Sequence, residues 1–76
     1  MTLENHDNYV EATKDELEFI THHMPKGMVA MIMKRTKKSR TQVIYQLYQN
    51  AVKQDAEIIE AAREILWAVT RKKYTK

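Results

Sequence analysis

Seven cationic side chains occupy the stretch from Lys26 to Lys53, and no acidic residue lies among them. The seven are Lys26, Lys34, Arg35, Lys37, Lys38, Arg40 and Lys53. Ammonium and guanidinium groups gathered on one surface attract phosphate oxygens. Residues 1–25 carry a net charge of −5, residues 26–54 carry +7 and residues 55–76 carry +1. This partition indicates either a polyanionic partner or internal pairing between the acidic and basic parts of the chain, and the alternative for the basic stretch is an ordinary solvated face.

Few other side chains have the types and spacing that metal binding or catalysis requires. The chain has no cysteine. His22 and His23 are adjacent, so their side chains diverge by about 100° on a helix, and His6 stands alone near the N-terminus. No nucleophile–base arrangement, glycine-rich phosphate loop or pair of carboxylates is recognisable. We therefore expect no metal, no cofactor and no enzymatic activity.

The composition predicts an all-α fold in a single domain. The chain has 76 residues with one glycine and one proline, whereas β architectures need many more turn residues. The longest apolar run, from Met28 to Met33, has six residues, where a membrane helix needs about 20. The first residues are acidic and polar, unlike a signal peptide. We expect a cytoplasmic protein without a membrane span.

Local capping signals mark where the predicted helices begin and end. In a capping box, a Ser or Thr hydroxyl and a Glu or Gln side chain three residues later satisfy each other's backbone amides. Thr13 with Glu16 and Ser39 with Gln42 form two such boxes, and Pro25 ends the first helix. The four predicted helices span about residues 14–24, 27–35, 39–50 and 56–72.

Apolar residues at helical spacing predict which faces form the core. The last helix, capped by Asp55, has the clearest stripe. That stripe consists of Ile58, Ile59, Ala62, Ile65, Leu66 and Val69. The methionines Met24, Met28 and Met31 also follow helical spacing and are predicted to fill the core. Residues 1–12 lack such periodicity and are predicted to form a flexible acidic arm before a domain over residues 13–76.

A series of residues at characteristic spacing extends through the middle of the chain, over about residues 17–66. It comprises Pro25-Lys26-Gly27, Ile32, Thr36, Ser39, Val43, Leu47, Asn50 and Ile58 to Ala62. In this order the chain resembles the helix-turn-helix of small bacterial, phage and mobile-element regulators, in the lambda-repressor-like and LacI-like group. The resemblance implies a compact four-helix domain that binds double-stranded DNA sequence-specifically, as a transcriptional regulator or accessory DNA-binding factor. The alternative is a small helical protein–protein interaction module with no DNA role.

The same resemblance assigns the third helix, residues 39–50, to the major groove as the recognition helix. The residues that it places against base edges are Ser39, Arg40, Thr41, Gln42 and Tyr45. Arg40 suits the O6 and N7 atoms of guanine, and Gln42 suits the N6 and N7 atoms of adenine. Contacts to the phosphate backbone fall to Lys26, Lys34, Arg35, Lys37, Lys38 and Lys53, which give affinity without sequence information.

Three positions depart from the family pattern. Met33 stands where a small alanine is usual, and Gln46 stands where an apolar residue is expected. Lys37 replaces the turn glycine, which costs about 1 kcal/mol if the backbone there is left-handed. Because of Gln46, two registers of the third helix remain open, one burying Val43 and the other burying Ile44.

Trp67 lies off the main stripe of the last helix, beside Ile59 and Leu66. A second apolar seam of this kind suits a homodimer, since symmetric regulators bind paired half-sites. The plain alternative is that Trp67 covers the hydrophobic core. In the protein-binding interpretation, Trp67 and the methionine-rich second helix form the contact surface instead.

Overall fold

The computed structural model describes residues 9–49 and 51–74, and this part of the chain contains four α-helices and no strand. The helices are α1 (Lys14–His23), α2 (Met28–Thr36), α3 (Arg40–Tyr48) and α4 (Ala56–Thr70). The all-α, four-helix prediction is confirmed, and each predicted boundary lies within two residues of the observed one. None of the described helices combines the length and the apolar character needed to cross a bilayer.

α1 begins and ends at the predicted signals, although one predicted bond is absent. Thr13 Oγ1 accepts a hydrogen bond from the Glu16 backbone nitrogen at 3.1 Å. The Glu16 carboxylate does not complete the predicted capping box, because it binds the guanidinium of Arg63 instead. At the other end, Met24 has an extended backbone (φ −65°, ψ 125°), as expected for the residue before Pro25.

Three residues, Lys37 to Ser39, connect α2 to α3. Lys37 closes α2 in the left-handed conformation (φ 62°, ψ 28°) and donates its N–H to the Met33 carbonyl at 2.8 Å. Ser39 then begins α3 with the complete predicted capping box. Ser39 Oγ accepts from Gln42 N at 3.1 Å, and Gln42 Oε1 accepts from Ser39 N at 3.0 Å. Lys37 therefore carries the conformational cost of about 1 kcal/mol that a non-glycine residue has in the left-handed region.

α4 packs against all three other helices, most extensively against α2. It begins as predicted, because Asp55 Oδ1 accepts from the Glu57 backbone nitrogen at 3.1 Å. It also carries six of the thirteen buried apolar residues in the described chain. The buried set is Ala12, Leu17, Ile20, Met28, Ile32, Val43, Leu47, Ile58, Ile59, Ala61, Ala62, Ile65 and Leu66. α4 is therefore the scaffold on which α2 and α3 are held.

The burial of individual side chains shows which register α3 adopts, and it corrects the prediction for one methionine. Val43 is fully buried and Ile44 is half-buried, so the Val43 register is the one adopted. Met28 is fully buried as predicted, but Met31 is 44% exposed and the prediction of a core position for it is wrong. Met28 and Ile32 define the buried face of α2, and Met31 lies about 100° from Ile32 around the helix.

Two apolar residues at the ends of the predicted pattern, Met24 and Val69, differ in whether they pack against the core. Met24 packs against the core from the end of α1, as predicted. Val69 is 47% exposed, which corrects its place in the α4 stripe. No residue of α4 beyond Leu66 is buried, so the last turn of the helix extends past the core.

Residues 9–12 pack on the helices, which corrects the prediction of a flexible arm for this part of residues 1–12. Ala12 is buried in the core, and Tyr9 packs against it. Gln54 Oε1 accepts from Ala12 N at 2.9 Å and from the Tyr9 hydroxyl, and Gln54 Nε2 donates to Ala12 O at 2.8 Å. Side-chain bonds, not a helix, hold this segment, which explains its lack of periodicity. Residues 1–8 of the predicted arm lie outside the described residues.

Candidate nucleic-acid interface

The first turn of α3 presents the predicted base-reading residues to solvent. Ser39, Arg40, Thr41 and Gln42 are all exposed, and Tyr45 is 41% exposed one turn further on. Arg40 has no acidic partner within ion-pair distance among the residues that the structure describes. Its guanidinium is therefore available to a ligand, with five N–H donors in a planar fork.

Two tyrosines continue this exposed surface along α3. The Tyr45 hydroxyl accepts from the Val52 backbone nitrogen at 3.5 Å, which links it to the loop that carries Lys53. Tyr48, one turn after Tyr45, is 52% exposed. The sequence reasoning did not single out Tyr48, although its spacing of three residues from Tyr45 places both rings on one side of the helix.

The cations of the basic stretch fall into two groups. Those in the first group are exposed and have no ion pair with any described acid. This group consists of Lys26, Lys34, Lys37, Arg40 and Lys53. They lie before α2, in its last turn, in the turn, at the start of α3 and in the loop after α3, so the positive charge flanks the first turn of α3 along the chain.

The second group, Arg35 and Lys38, is held by acids from the start and middle of α4. Arg35 Nη1 lies 2.7 Å from Glu64 Oε1, and Lys38 Nζ lies 3.1 Å from Asp55 Oδ2 and 3.3 Å from Glu57 Oε1. These bonds, foremost the one to Asp55, raise the pKa of Lys38 above its ordinary value. The stretch that lacks acids in the sequence therefore has three carboxylates at its edge in space.

The ion pairs of Arg35 and Lys38 differ in how readily they can exchange with a ligand. Arg35 and Glu64 are 49% and 69% exposed, and the Lys38 side chain is 27% exposed. Ion pairs of this kind contribute about 0–1 kcal/mol in water. A phosphate group that binds two cations at once can displace them, whereas the Lys38–Asp55 contact, the more enclosed of the pairs, favours staying closed.

Gln46 fixes α3 against the loop that follows it. Its side chain is 7% exposed. Nε2 donates to Lys53 O at 3.2 Å, and Oε1 accepts from Asp55 N at 2.9 Å. The amide thus pairs with one backbone acceptor and one backbone donor at the two ends of residues 53–55. This is why a glutamine occupies a position where the family pattern has an apolar residue, and it ties the α3 surface to the start of α4.

A separate charged cluster joins the N-terminal segment, α1 and α4. Arg63 Nε and Nη2 donate to the two Glu16 carboxylate oxygens at 2.8 and 2.9 Å, and Nη2 also donates to Val10 O at 2.8 Å. The guanidinium lies 5.4 Å from the centre of the Tyr9 ring. Burial, partly offset by Arg63, raises the pKa of Tyr9. All of these groups are used in holding the fold.

The histidines form an aromatic contact at the end of α1. The His23 ring lies 4.5 Å from that of Phe19 and 4.9 Å from that of His22. Burial, followed by the charges of His22 and Lys72, lowers the pKa of His23. No group of three metal-ligating side chains occurs in the described part of the chain, and His6 lies outside that part.

The surface predicted for a homodimer is not available as predicted. Ile59 and Leu66 are 0% and 2% exposed, because both pack in the core. Trp67 alone of the three is exposed, at 46%. It borders a cleft of about 620 Å³ between α1, α4 and residues 72–74. The two carboxylates lining this cleft, those of Glu16 and Glu64, are both in ion pairs.

Comparison of this chain with protein-family models, with curated proteins and with solved structures finds no match. The resemblance to helix-turn-helix regulators therefore rests on the sequence pattern alone.

Proposed function

We propose that this chain binds double-stranded DNA through the first turn of α3, as a transcriptional regulator or accessory DNA-binding factor in the cytoplasm. The observation that carries the proposal is the exposed turn from Ser39 to Gln42, with Arg40 free of any described acid and flanked in the chain by Lys34 and Lys37. A three-residue turn between two helices, with donors at the start of the second helix, suits entry into a major groove.

Each group has a proposed role that follows from its chemistry. Arg40 reads base edges, assisted by Ser39, Thr41, Gln42 and Tyr45. The exposed lysines, Lys26, Lys34, Lys37 and Lys53, bind phosphates and set affinity and register. Arg35 contributes by exchanging Glu64 for phosphate, so it contributes less than an unpaired cation, and Lys38, whose contact with Asp55 favours staying closed, contributes least.

The test is a fluorescence-polarisation titration of a mixed-sequence duplex at low and near-physiological salt. Log affinity is expected to fall by about 0.9 per phosphate contact for each unit of log salt. Lys34→Gln should reduce that slope by about 1. Lys14→Gln is the matched control, since Lys14 is an exposed lysine on α1, outside the basic stretch. Absence of binding at low salt, or equal effects of the two variants, would overturn the proposal.

The second candidate is a helical module that binds a protein. It is favoured by the exposure of Met31 at 44% and of Trp67 at 46%, since adaptable methionines and tryptophan suit protein contacts. A hydrophobic interface of this kind responds little to salt. Met31→Ala and Trp67→Ala leave DNA binding unchanged under the first proposal, so a loss of salt-sensitive DNA binding in either variant argues against the assignment to α3.

A further inference from the structure

We infer that the cleft between α1, α4 and residues 72–74 binds a small aromatic organic acid, a molecule with one anionic group on a planar ring system. This site goes beyond the proposed DNA binding, because none of the residues that line it belongs to the stretch from Lys26 to Lys53. The side chains that carry the inference are two aromatic and two cationic ones, Trp67, Tyr74, Lys72 and Lys73.

Residues 72–74 form one side of the cleft and are held there at both ends. Arg71 ends α4 in the left-handed conformation (φ 60°, ψ 25°) and donates its N–H to the Trp67 carbonyl at 2.9 Å. The Tyr74 ring lies 5.6 Å from that of Phe19 on α1, in an edge-to-face contact. The chain after α4 therefore turns back to α1 and bounds the cleft.

The cleft has the size of a small-ligand site. Its volume of about 620 Å³ lies within the range of roughly 300–1,000 Å³ that such sites occupy. Its accessible apolar side chains are Val10 at 72% exposure, Trp67 at 46% and the half-buried Tyr74. A stable protein interface uses about 20–30 residues on each side. Three apolar side chains around a cleft therefore suit one small molecule better than a protein surface.

The charged groups around the cleft favour an anionic ligand. Its two carboxylates, Glu16 and Glu64, already bind arginines at 2.8 and 2.7 Å, and the arginine that lines the cleft, Arg63, is one of those partners. Lys72 and Lys73 are exposed and have no ion pair with any described acid. A carboxylate that enters the cleft therefore meets two ammonium groups that no described acid neutralises.

The two rings favour an aromatic body for the ligand. Trp67 has no other aromatic ring in contact with it among the described residues, and its exposed part borders the cleft. Aromatic rings attract one another in offset or edge-to-face arrangements, in addition to the gain from burying apolar surface. A planar ligand can pack against Trp67 and Tyr74 while its acid group binds the lysines.

The experiment is an NMR titration of the ¹⁵N-labelled chain with indole-3-acetate, and with its neutral amide, indole-3-acetamide, as the matched compound. Trp67 is the only tryptophan of the chain, so its indole N–H gives one unambiguous signal. We expect indole-3-acetate to shift that signal and the backbone amides of residues 72–74 most. It should bind about fivefold more tightly than the amide, because only the acid pairs with the lysines.

Two double variants separate the charge of the cleft from the net charge of the chain. Lys72→Gln with Lys73→Gln should remove the preference for the acid and leave binding of the amide unchanged. The matched control is Lys14→Gln with Lys26→Gln, which removes the same charge from exposed lysines outside the cleft. The control should keep the preference.

Three results with the wild-type chain would overturn the inference. One is equal affinity for the acid and the amide. Another is a set of shifts centred on α3 and not on Trp67, which would assign the binding to the basic stretch. The third is the absence of shifts at about 3 mM probe, since a ligand of this size should bind with a Kd on the order of 1 mM. No DNA is present in these titrations, so their failure is distinct from failure of the proposed function.

Discussion

Two arginines show how differently this small domain uses the same side chain. Arg63 binds both oxygens of Glu16 and the carbonyl of Val10, and its side chain is 27% exposed. Arg40 is exposed at the start of α3 and has no described acid within ion-pair distance. The first arginine uses its Nε and Nη2 donors within the fold, whereas the second has no acidic partner among the described residues. Charge in the sequence therefore indicates function only where the fold leaves it without a partner.

The largest expected effect is the loss of stability when Arg63 is replaced. Arg63→Ala leaves the Glu16 carboxylate, whose side chain is 15% exposed, without its two charged donors. We expect a loss of about 2–3 kcal/mol in the free energy of unfolding, measured by urea denaturation. Arg40→Ala is the control and should change stability by less than about 0.5 kcal/mol. Equal losses would mean that the two arginines do not differ as described.

Arg40→Ala has its effect on recognition instead. Discrimination between a selected duplex and a mixed-sequence duplex should fall by about 1–3 kcal/mol, because one bidentate base contact is lost. Polarisation titrations with both duplexes measure the difference. An equal loss of affinity for both duplexes would assign Arg40 to the phosphate backbone.

Lys37→Gly should change stability and DNA binding in opposite directions. Lys37 has φ 62°, so glycine removes the left-handed strain and raises the free energy of unfolding by about 1 kcal/mol. The same change deletes a cation and should weaken binding to all duplexes alike.

The matched control for Lys37→Gly is Arg71→Gly at the end of α4, where φ is 60°. It should also stabilise the fold, by less, because the guanidinium lies 5.6 Å from the Trp67 ring and that contact is lost. DNA affinity should not change. Weaker DNA binding by Arg71→Gly would extend the interface beyond the α2–α3 surface.

The smallest effect is expected from Glu57→Gln, which removes one of the two acids holding Lys38. Releasing part of an exposed ion pair should raise DNA affinity by about twofold at low salt, because Asp55 still holds the lysine. Glu60→Gln is the control, since it changes the net charge equally without touching Lys38. If the two variants bind alike, net charge alone accounts for the gain.

The sequence predicted those features whose causes act within one helical turn. Ser39 with Gln42, Asp55 and Pro25 set helix ends through bonds or sterics between near neighbours, and all three acted as expected. The α4 stripe predicted the core down to Leu66. These signals are local, so one sequence is enough to read them.

The errors come from partners far apart in the chain. Glu16 left its capping box for Arg63, 47 residues away. The stretch without acidic residues lies beside carboxylates from the start and middle of α4. Apolar spacing alone does not show whether Leu66 faces the core or a second chain. An apolar stripe indicates that one face of a helix is buried, but it does not identify the element or the second chain that buries it. The base-reading roles at the start of α3 stay predictions, because the structure of the unbound protein shows which side chains are accessible and contains no DNA contact.

The dominance of α4 in the core also governs the order in which this chain can fold during synthesis. α1, α2 and α3 leave the ribosome first, with Ile20, Ile32 and Val43 lacking the helix that covers them. Translation proceeds at about 5–20 residues per second, so the fifteen residues of α4 take about 1–3 s to add. The nascent chain exposes its apolar faces throughout that interval, and a chaperone has time to bind them. The bonds of Arg63 to Glu16 and Val10 form only after α4 has been made, whereas Gln54, which bonds Ala12, is made before α4.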